Sequence, residues 1–384
     1  MFRNIKILNK GLLSYGDKWL YASGMNVKNN SKDISRINEE IQDLKLLVKF
    51  GVKTILLNHQ GDYDNKSAIH TPYLSKILKK KLNTKVYYYK KIDKSLIKKI
   101  NTKLKPGEIA ILGNTRLFSG EQKNSLNLSK FFSKFADQIV IGGFCKIHRK
   151  NSSNYGILNF IDGYLSNGVL NEVKKIERWK KKSKNKIAII GGTKKEKVIN
   201  GIGFLANKYD YVLPTGVFLN MIIKSIGFEI GLSKILNNKI LEKNLLNFVK
   251  TNNFKNKFIL PEKVIVCKKK SKKILYRDTE KVEKDEIICG IKITKKIHNL
   301  FFELRKRRFS FLIAGTPDYK EKGIRKMGEF LKKFIKKNNL NYLILGGDTA
   351  RDLSIKKNTS SGGGASLEFL AGKKLPILNK LKQN

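Results

Sequence analysis

The sequence predicts an α/β protein: two Rossmann-like three-layer α/β domains with mainly parallel sheets, joined by a hinge helix. Three observations carry this expectation. The chain has 384 residues, enough for two cores of ordinary size. Short apolar runs alternate with longer stretches of helical periodicity, as parallel strands and their crossover helices do. Glycine clusters close several of those runs where a helix is expected to begin.

In chain order, the first half offers strands at Thr54–Leu57, Val86–Tyr89, Ile109–Leu112 and Ile139–Ile141, each rich in β-branched or aromatic residues. From Asn167 to Lys182 the pattern becomes helical, with Val169, Leu170, Val173 and Ile176 forming one apolar stripe on an otherwise polar segment. A helix joining two sheets is a hinge element. The second half offers strands at Ile187–Ile190, Tyr211–Leu213, Val264–Cys267, Phe311–Ile313 and Leu343–Leu345. The stretch from Lys268 to Glu286 is charged and poor in large apolar residues, and reads as an exposed excursion.

Composition narrows the class. An apolar fraction of 41% excludes a wholly disordered chain. No apolar run approaches the roughly 20 residues of a membrane span. The opening Met1-Phe2-Arg3-Asn4-Ile5-Lys6 lacks the apolar region of a secretory signal. Cys145, Cys267 and Cys289 are too widely spaced for a disulfide framework or a zinc knuckle, so a cytoplasmic protein is expected. The net charge of +49 raises nucleic-acid binding as a reading. However, only 11 of the 80 basic residues are Arg, and the lysines are spread along the whole chain. Lysine is a hydrated point charge less suited to bidentate phosphate recognition, so solvated surfaces written by an AT-rich genome are the preferred explanation, with no nucleic-acid partner.

Chemistry is carried by two glycine-rich turns. Leu345-Gly346-Gly347-Asp348-Thr349 is followed by Ser360-Ser361-Gly362-Gly363-Gly364-Ala365-Ser366-Leu367-Glu368. A lone Gly-Gly pair is ordinarily a tight strand-to-helix connection. Two clusters, with Asp and Thr in one and Ser in the other, point instead to phosphate at helix N-termini, where free N–H groups and the dipole attract anions. An Asp at such a turn can hold Mg2+.

This segment resembles the C-terminal signature of phosphoglycerate kinases, which reads Gly-Gly-Gly-Asp-Thr, Ser-Thr-Gly-Gly-Gly-Ala-Ser-Leu-Glu, then Gly-Lys and Leu-Pro; here Gly372-Lys373-Lys374-Leu375-Pro376 supplies the last part. Further segments are similar in order. Asp33-Ile34-Ser35-Arg36-Ile37 resembles Asp-Asp-Thr-Arg-Ile, Asn58-His59-Gln60-Gly61 resembles Ser-His-Leu-Gly, and Leu104-Lys105-Pro106-Gly107-Glu108 resembles Leu-Lys-Pro-Gly-Asp. Asn114-Thr115-Arg116-Leu117 resembles Asn-Val-Arg-Phe, Phe144-Cys145-Lys146-Ile147-His148-Arg149 resembles Ala-Phe-Gly-Thr-Ala-His-Arg, and Gly191-Gly192-Thr193-Lys194 matches Gly-Gly-Ala-Lys.

The resemblance implies phosphoryl transfer between 1,3-bisphosphoglycerate and ADP, with Mg2+ and ATP/ADP, by a monomer that uses small-molecule substrates. It also implies a layout: residues 1–166 form the acid-substrate domain, with the tail from about 366 to 384 packing back on it, 167–182 the hinge helix, and 183–365 the nucleotide domain. Asn26, Arg36, His59, Arg116 and Arg149 would bind the acid, with Arg36 directed to the transferring phosphoryl. Guanidinium groups suit this work through permanent charge and forked donors. Gly191, Gly192, Lys194, Gly346, Gly347, Asp348, Thr349, Gly362, Gly363 and Gly364 would form the nucleotide face, with Lys194 and Gly347 serving catalysis beside Arg36 and Asp348 placing the metal.

Several positions depart from the family. Ala22 replaces a substrate-binding Arg, Gly24 an Asp, Asp62 an Arg, Val198 a Lys and Ala314 an Asn. Lys197 stands one position before that lysine, about 100 degrees around a helix. A paralogue acting on another small carboxylate, or only binding nucleotide, is therefore the second expectation.

Overall fold

The computed structural model describes residues 2, 4–31, 33–192, 195–268 and 273–383. They fall into two compact units, one comprising Met1–Lys174 with Lys373–Asn384, the other Lys175–Gly372.

The first unit is built on six parallel strands: β1 (Lys18–Ala22), β2 (Lys53–Leu57), β3 (Val86–Tyr89), β4 (Ile109–Leu112), β5 (Gln138–Ile141) and β6 (Asp162–Leu165). Their spatial order is β3-β4-β2-β1-β5-β6. The chain thus adds strands on one side of β1, then returns to add them on the other, so the order of strand addition reverses between β1 and β5. β1 was not foreseen, although Trp19, Leu20, Tyr21 and Ala22 are all buried in the middle of the sheet. Leu44, Leu47, Leu74 and Leu78 from the covering helices pack with Tyr21, Leu56 and Ile111 into one core.

The second unit holds a parallel sheet of β7 (Lys186–Ile190), β8 (Tyr211–Pro214), β12 (Ser310–Ala314), β13 (Tyr342–Leu345) and β14 (Thr359–Ser360), in the order β14-β13-β12-β7-β8. Here the reversal lies between β7 and β12. A separate three-stranded antiparallel sheet pairs β9 (Lys263–Lys268) with β10 (Ile274–Asp278) and β11 (Glu286–Ile291). Two expectations are corrected by it. Val264–Cys267 is a strand, but its neighbours are antiparallel. The charged stretch after it is no mere excursion, because Ile274–Asp278 pairs along β9, with residues 269–272 outside the described set. Charge hid this strand: β10 is an edge, Ile274 and Tyr276 are exposed, and Lys292 covers the Tyr276 ring at 4.4 Å.

The expected helix spans Asn167–Lys182, with Val169, Leu170, Val173 and Ile176 all buried. Its first turn is capped from outside. The Asp43 carboxylate accepts from the Asn167 and Gly168 amides at 3.2 and 3.0 Å, and Ser166 Oγ accepts from the Val169 amide at 3.1 Å. The division between units falls within this helix, after Lys174, rather than at its ends. The tail returns to the first unit at Lys373, not 366, because the helix Gly363–Leu370 belongs to the second. Ile377 and Leu381 are buried there, and the Ile377 amide donates to the Ile147 carbonyl at 3.4 Å.

Candidate active site

Parallel sheets place ligands outside the carboxyl ends of the two strands where the chain order reverses. In the first unit those strands lead into Ser23-Gly24-Met25-Asn26 after β1 and Gly142-Gly143-Phe144-Cys145-Lys146 after β5. The two loops touch backbone to backbone. A Cβ on Gly24 would stand 2.5 Å from the Gly143 Cα, and Gly143 itself has φ +70. Only glycine allows this approach.

Around this point the five acid-side residues gather. Arg36 donates from Nη1 to the Asn26 carbonyl at 3.1 Å. Arg116 is 2% exposed, on a turn held by Asn114. The Asn114 Oδ1 accepts from the Gln60 and Arg116 amides, both at 3.0 Å, while its Nδ2 donates to the Gln60 and Ile69 carbonyls at 2.8 and 2.7 Å. One amide side chain thereby ties the loop after β4 to the loop after β2. Arg116 Nε is buried with no hydrogen-bond partner among the described residues, an arrangement that is unfavourable unless an anion arrives. Burial pulls the Arg116 guanidinium below its ordinary range, and the nearby Arg149 charge adds to this while Glu121 opposes it. His59 Nδ1 lies 3.3 Å from the Ser23 carbonyl. Burial first, then the charges of Lys146, Arg116 and Arg36, hold the His59 pKa well below its usual value, so it joins as a neutral imidazole. Arg149 is exposed, with Nε 3.3 Å from His148 Nε2.

The departures have local explanations. Ala22 ends β1 fully buried. Gly24 donates its amide to Glu40 Oε1 at 2.6 Å, and the Gly143 backbone leaves no room for an aspartate there. Asp62 is occupied by its own loop: Gln122 Nε2 and the Asn65 amide donate to it at 2.7 and 3.2 Å, and these bonds hold its carboxyl below the usual range. Sequence reasoning missed Lys146 and Glu40, both almost wholly buried beside these loops. Burial brings the Lys146 ammonium down to about 8 and pushes the Glu40 carboxyl up to about 8.

In the second unit the reversal point brings Gly191-Gly192 after β7 against Gly315-Thr316 after β12. Gly192 has φ +82 and Gly315 φ +103, and a Cβ on Gly315 would land on the Gly191 carbonyl. The Lys197 ammonium lies over both, 3.0 Å from the Cβ position of Gly192 and 2.5 Å from that of Gly315. Val198, by contrast, is 1% exposed. The helix begins at Lys195, and it is Lys197 that folds back on the glycine loops. Lys194 lies outside the described residues.

The loops after β13 and β14 meet similarly, with a Cβ on Gly363 placed 3.4 Å from the Gly346 Cα. Gly347 opens a helix to Leu353, and Gly362, Gly363 and Gly364 lead into Gly363–Leu370. Beside the latter, Ser361 Oγ is buried with no hydrogen-bond partner among the described residues. Thr349 is buried, and its Oγ1 accepts from the Gly315 amide at 2.9 Å, fastening two loops together. Asp348 is 74% exposed at the helix start and accepts from Arg351 Nη2 at 2.7 Å. Among the described residues no group of three or more His, Cys, Asp or Glu side chains could hold a metal. A single carboxylate beside helix N-terminal amides fits Mg2+, which keeps waters and is commonly shared with substrate phosphates. Alongside these loops a cavity of about 270 Å³, lined among others by Gly192, Val217, Leu219, Lys234, Asp318 and Glu321, combines apolar side chains with two carboxylates and a lysine. No motif in the sequence signalled it.

Residues 19–373 match the family model described as phosphoglycerate kinase. The phosphoglycerate kinase of Buchnera aphidicola subsp. Schizaphis graminum is 31% identical over 393 residues, covering 96% of each chain. That of Dictyoglomus turgidum is 30% identical over 366 residues, covering 90% of this chain and 89% of its own. Among solved structures, the phosphoglycerate kinase of Pyrococcus horikoshii OT3 superposes with a TM-score of 0.79 at 23% identity, over 98% of both chains. That of Coxiella burnetii gives 0.73 at 22% identity, over 96% and 97%. The two structures share the fold.

Proposed function

The chain belongs to the phosphoglycerate kinase family, and we propose that it catalyses reversible phosphoryl transfer between 1,3-bisphosphoglycerate and ADP, giving 3-phosphoglycerate and ATP. The observation that carries this reading is the pairing of residue sets within one chain: a cationic cluster around the buried Arg116, whose Nε has no hydrogen-bond partner among the described residues, and glycine turns closing the β7, β12 and β13 carboxyl ends. Anions suit both.

In the synthesis of acyl phosphate, a carboxylate oxygen of 3-phosphoglycerate forms the new bond to the γ-phosphorus as the bond to the β-phosphate oxygen breaks, and ADP leaves. No proton moves in that step, so positioning and charge neutralisation dominate. Arg36, Arg116 and Arg149 hold the acid, with Asn26 fixing the Arg36 head and neutral His59 bordering the site. Arg36 is assigned to charge on the moving phosphoryl group. On the nucleotide side the Gly191, Gly346 and Gly362 amides donate to the Ala314 carbonyl, the Ser360 carbonyl and Ser360 Oγ, which leaves the amides of Gly192, Gly347, Gly363 and Gly364 for phosphate, and Lys197 takes the cationic role expected of position 198. Asp348 would hold Mg2+, which supplies charge neutralisation on the phosphates. Thr349 serves by fixing the Gly315 loop. The helix Asn167–Lys182 is the proposed hinge.

The paralogue reading gains no specific support, since Lys197 and Lys146 offer cations where Val198 and Ala22 do not. No helix is long and apolar enough to cross a membrane among the described residues, and three free cysteines suit a reducing cytoplasm. A coupled assay with 3-phosphoglycerate and Mg-ATP tests the proposal. Asp348→Ala is expected to lose about a hundredfold in rate, as removal of one charge-stabilising contact commonly does. Equal rates in both proteins would remove it.

A further inference from the structure

We propose that Lys146 is a substrate-binding cation: it receives an anionic group of the acid substrate in the place that Ala22 leaves without charge. This rests on the proposed function and adds a residue to the acid site that the family pattern, with Thr at this position, does not supply.

Four observations lead to Lys146. It lies on the loop that follows β5, at the reversal point of the sheet, where ligands are expected. It is 3% exposed, yet its ammonium has no hydrogen bond or ion pair among the described residues. An ammonium that has Glu121 and Glu40 only at longer range, with no hydrogen bond of its own, is costly to keep charged in such a buried place, and its tip is not sealed off, so an anionic ligand can reach it. The nearby carboxylates are committed elsewhere. Glu121 accepts from the Ser153 amide and hydroxyl at 3.0 and 2.6 Å, and Glu40 Oε1 accepts from the Gly24 amide at 2.6 Å. Finally, the side chain crosses ground that glycines leave open: its Cε stands 3.2 Å from the Cβ position of Gly143, which packs on Gly24.

The charge state is consistent with this. Although burial lowers the Lys146 pKa to about 8, the ammonium is still the main form at pH 7, while burial raises Glu40 to about 8 and favours its neutral form. The pocket is therefore more cationic than a count of its side chains suggests. Arg116 and Arg36 are close enough for their charges, with that of Lys146, to bear on His59.

Lys146→Met tests the inference, because it preserves an aliphatic arm and removes only the charge. The expected result is a KM for 3-phosphoglycerate raised tenfold or more, with the KM for ATP within twofold of wild type and Lys146→Arg recovering most of the loss. If Lys146→Met does not fold, Glu40→Gln/Lys146→Met, which removes both buried charges, replaces it with the same expected KM split. An unchanged KM for 3-phosphoglycerate, or equal losses for both substrates together with a lowered melting temperature, overturns the inference and leaves the kinase reading standing. Wild-type protein that neither binds nor phosphorylates 3-phosphoglycerate overturns both.

Discussion

Gly315 is the residue on which the packing of the glycine loops in the second unit depends most directly, and replacing it by alanine has a calculable consequence. Its φ of +103 is a conformation that L side chains rarely adopt, and such strain costs on the order of 1–3 kcal/mol. The new methyl would also meet the Gly191 carbonyl and stand 2.5 Å from the Lys197 ammonium, an overlap that adds roughly 1–3 kcal/mol. A combined loss of about 3 kcal/mol corresponds to a fall of roughly 6–12 °C for a unit of this size. Relief of the clash must separate the loops after β7 and β12 and displace Lys197, so the KM for ATP should rise about tenfold along with the loss of stability, each 1.4 kcal/mol of binding being a factor of ten. Scanning calorimetry and initial rates measure the two effects. Gly203→Ala is the control, since nothing lies within 4 Å of its Cβ position and its stability should change by no more than about 1 kcal/mol. A Gly315→Ala protein melting within about 2 °C of wild type, with an unchanged KM for ATP, would refute the packing argument.

Two other outcomes are expected. Lys197→Met should lower kcat about a hundredfold, and adding Val198→Lys should not restore it, because position 198 is buried in the core; unchanged turnover in Lys197→Met contradicts the assignment. Glu40 has a folded pKa raised to about 8, above that of the unfolded chain, so between roughly pH 4.5 and 8 the folded state binds more protons and stability falls as pH rises. Glu40→Gln should flatten that part of the stability–pH curve, measured by urea unfolding, and a curve unaltered by the substitution would show that Glu40 does not titrate as its burial implies.

The parts of the fold that were legible are those in which local sequence and burial agree. Ile109–Leu112 and Ile187–Ile190 are unbroken apolar runs in strands covered on both faces, and they were located within a residue. β1 escaped because Lys18-Trp19-Leu20-Tyr21-Ala22 mixes a charge, two aromatics and a small residue, although the sheet buries nearly all of it. β10 escaped for the opposite reason: its pairing is made by backbone, Ile274 and Tyr276 stay exposed, and only Leu275 packs against the core. Within the site, Arg36, Arg116 and Arg149 stood out because arginine is rare in this chain, whereas Lys146 was one lysine among many and is distinguished only by burial. Lys197 was discounted by helical rotation. That argument overlooked how near the helix start it lies and how far a lysine side chain reaches across Gly192 and Gly315. For Thr349 the motif suggested a phosphate contact, and the structure adds a second use that it did not signal, a hydroxyl that fastens the neighbouring loop.

Direct observation of acyl phosphate formation tests the central claim most sharply. Wild-type protein incubated with Mg-ATP and 3-phosphoglycerate in the presence of hydroxylamine, which captures acyl phosphates, is predicted to yield the hydroxamate in step with ADP, and Arg36→Ala to yield neither. ADP released without hydroxamate, or no product from a protein that binds both ligands, would contradict the account.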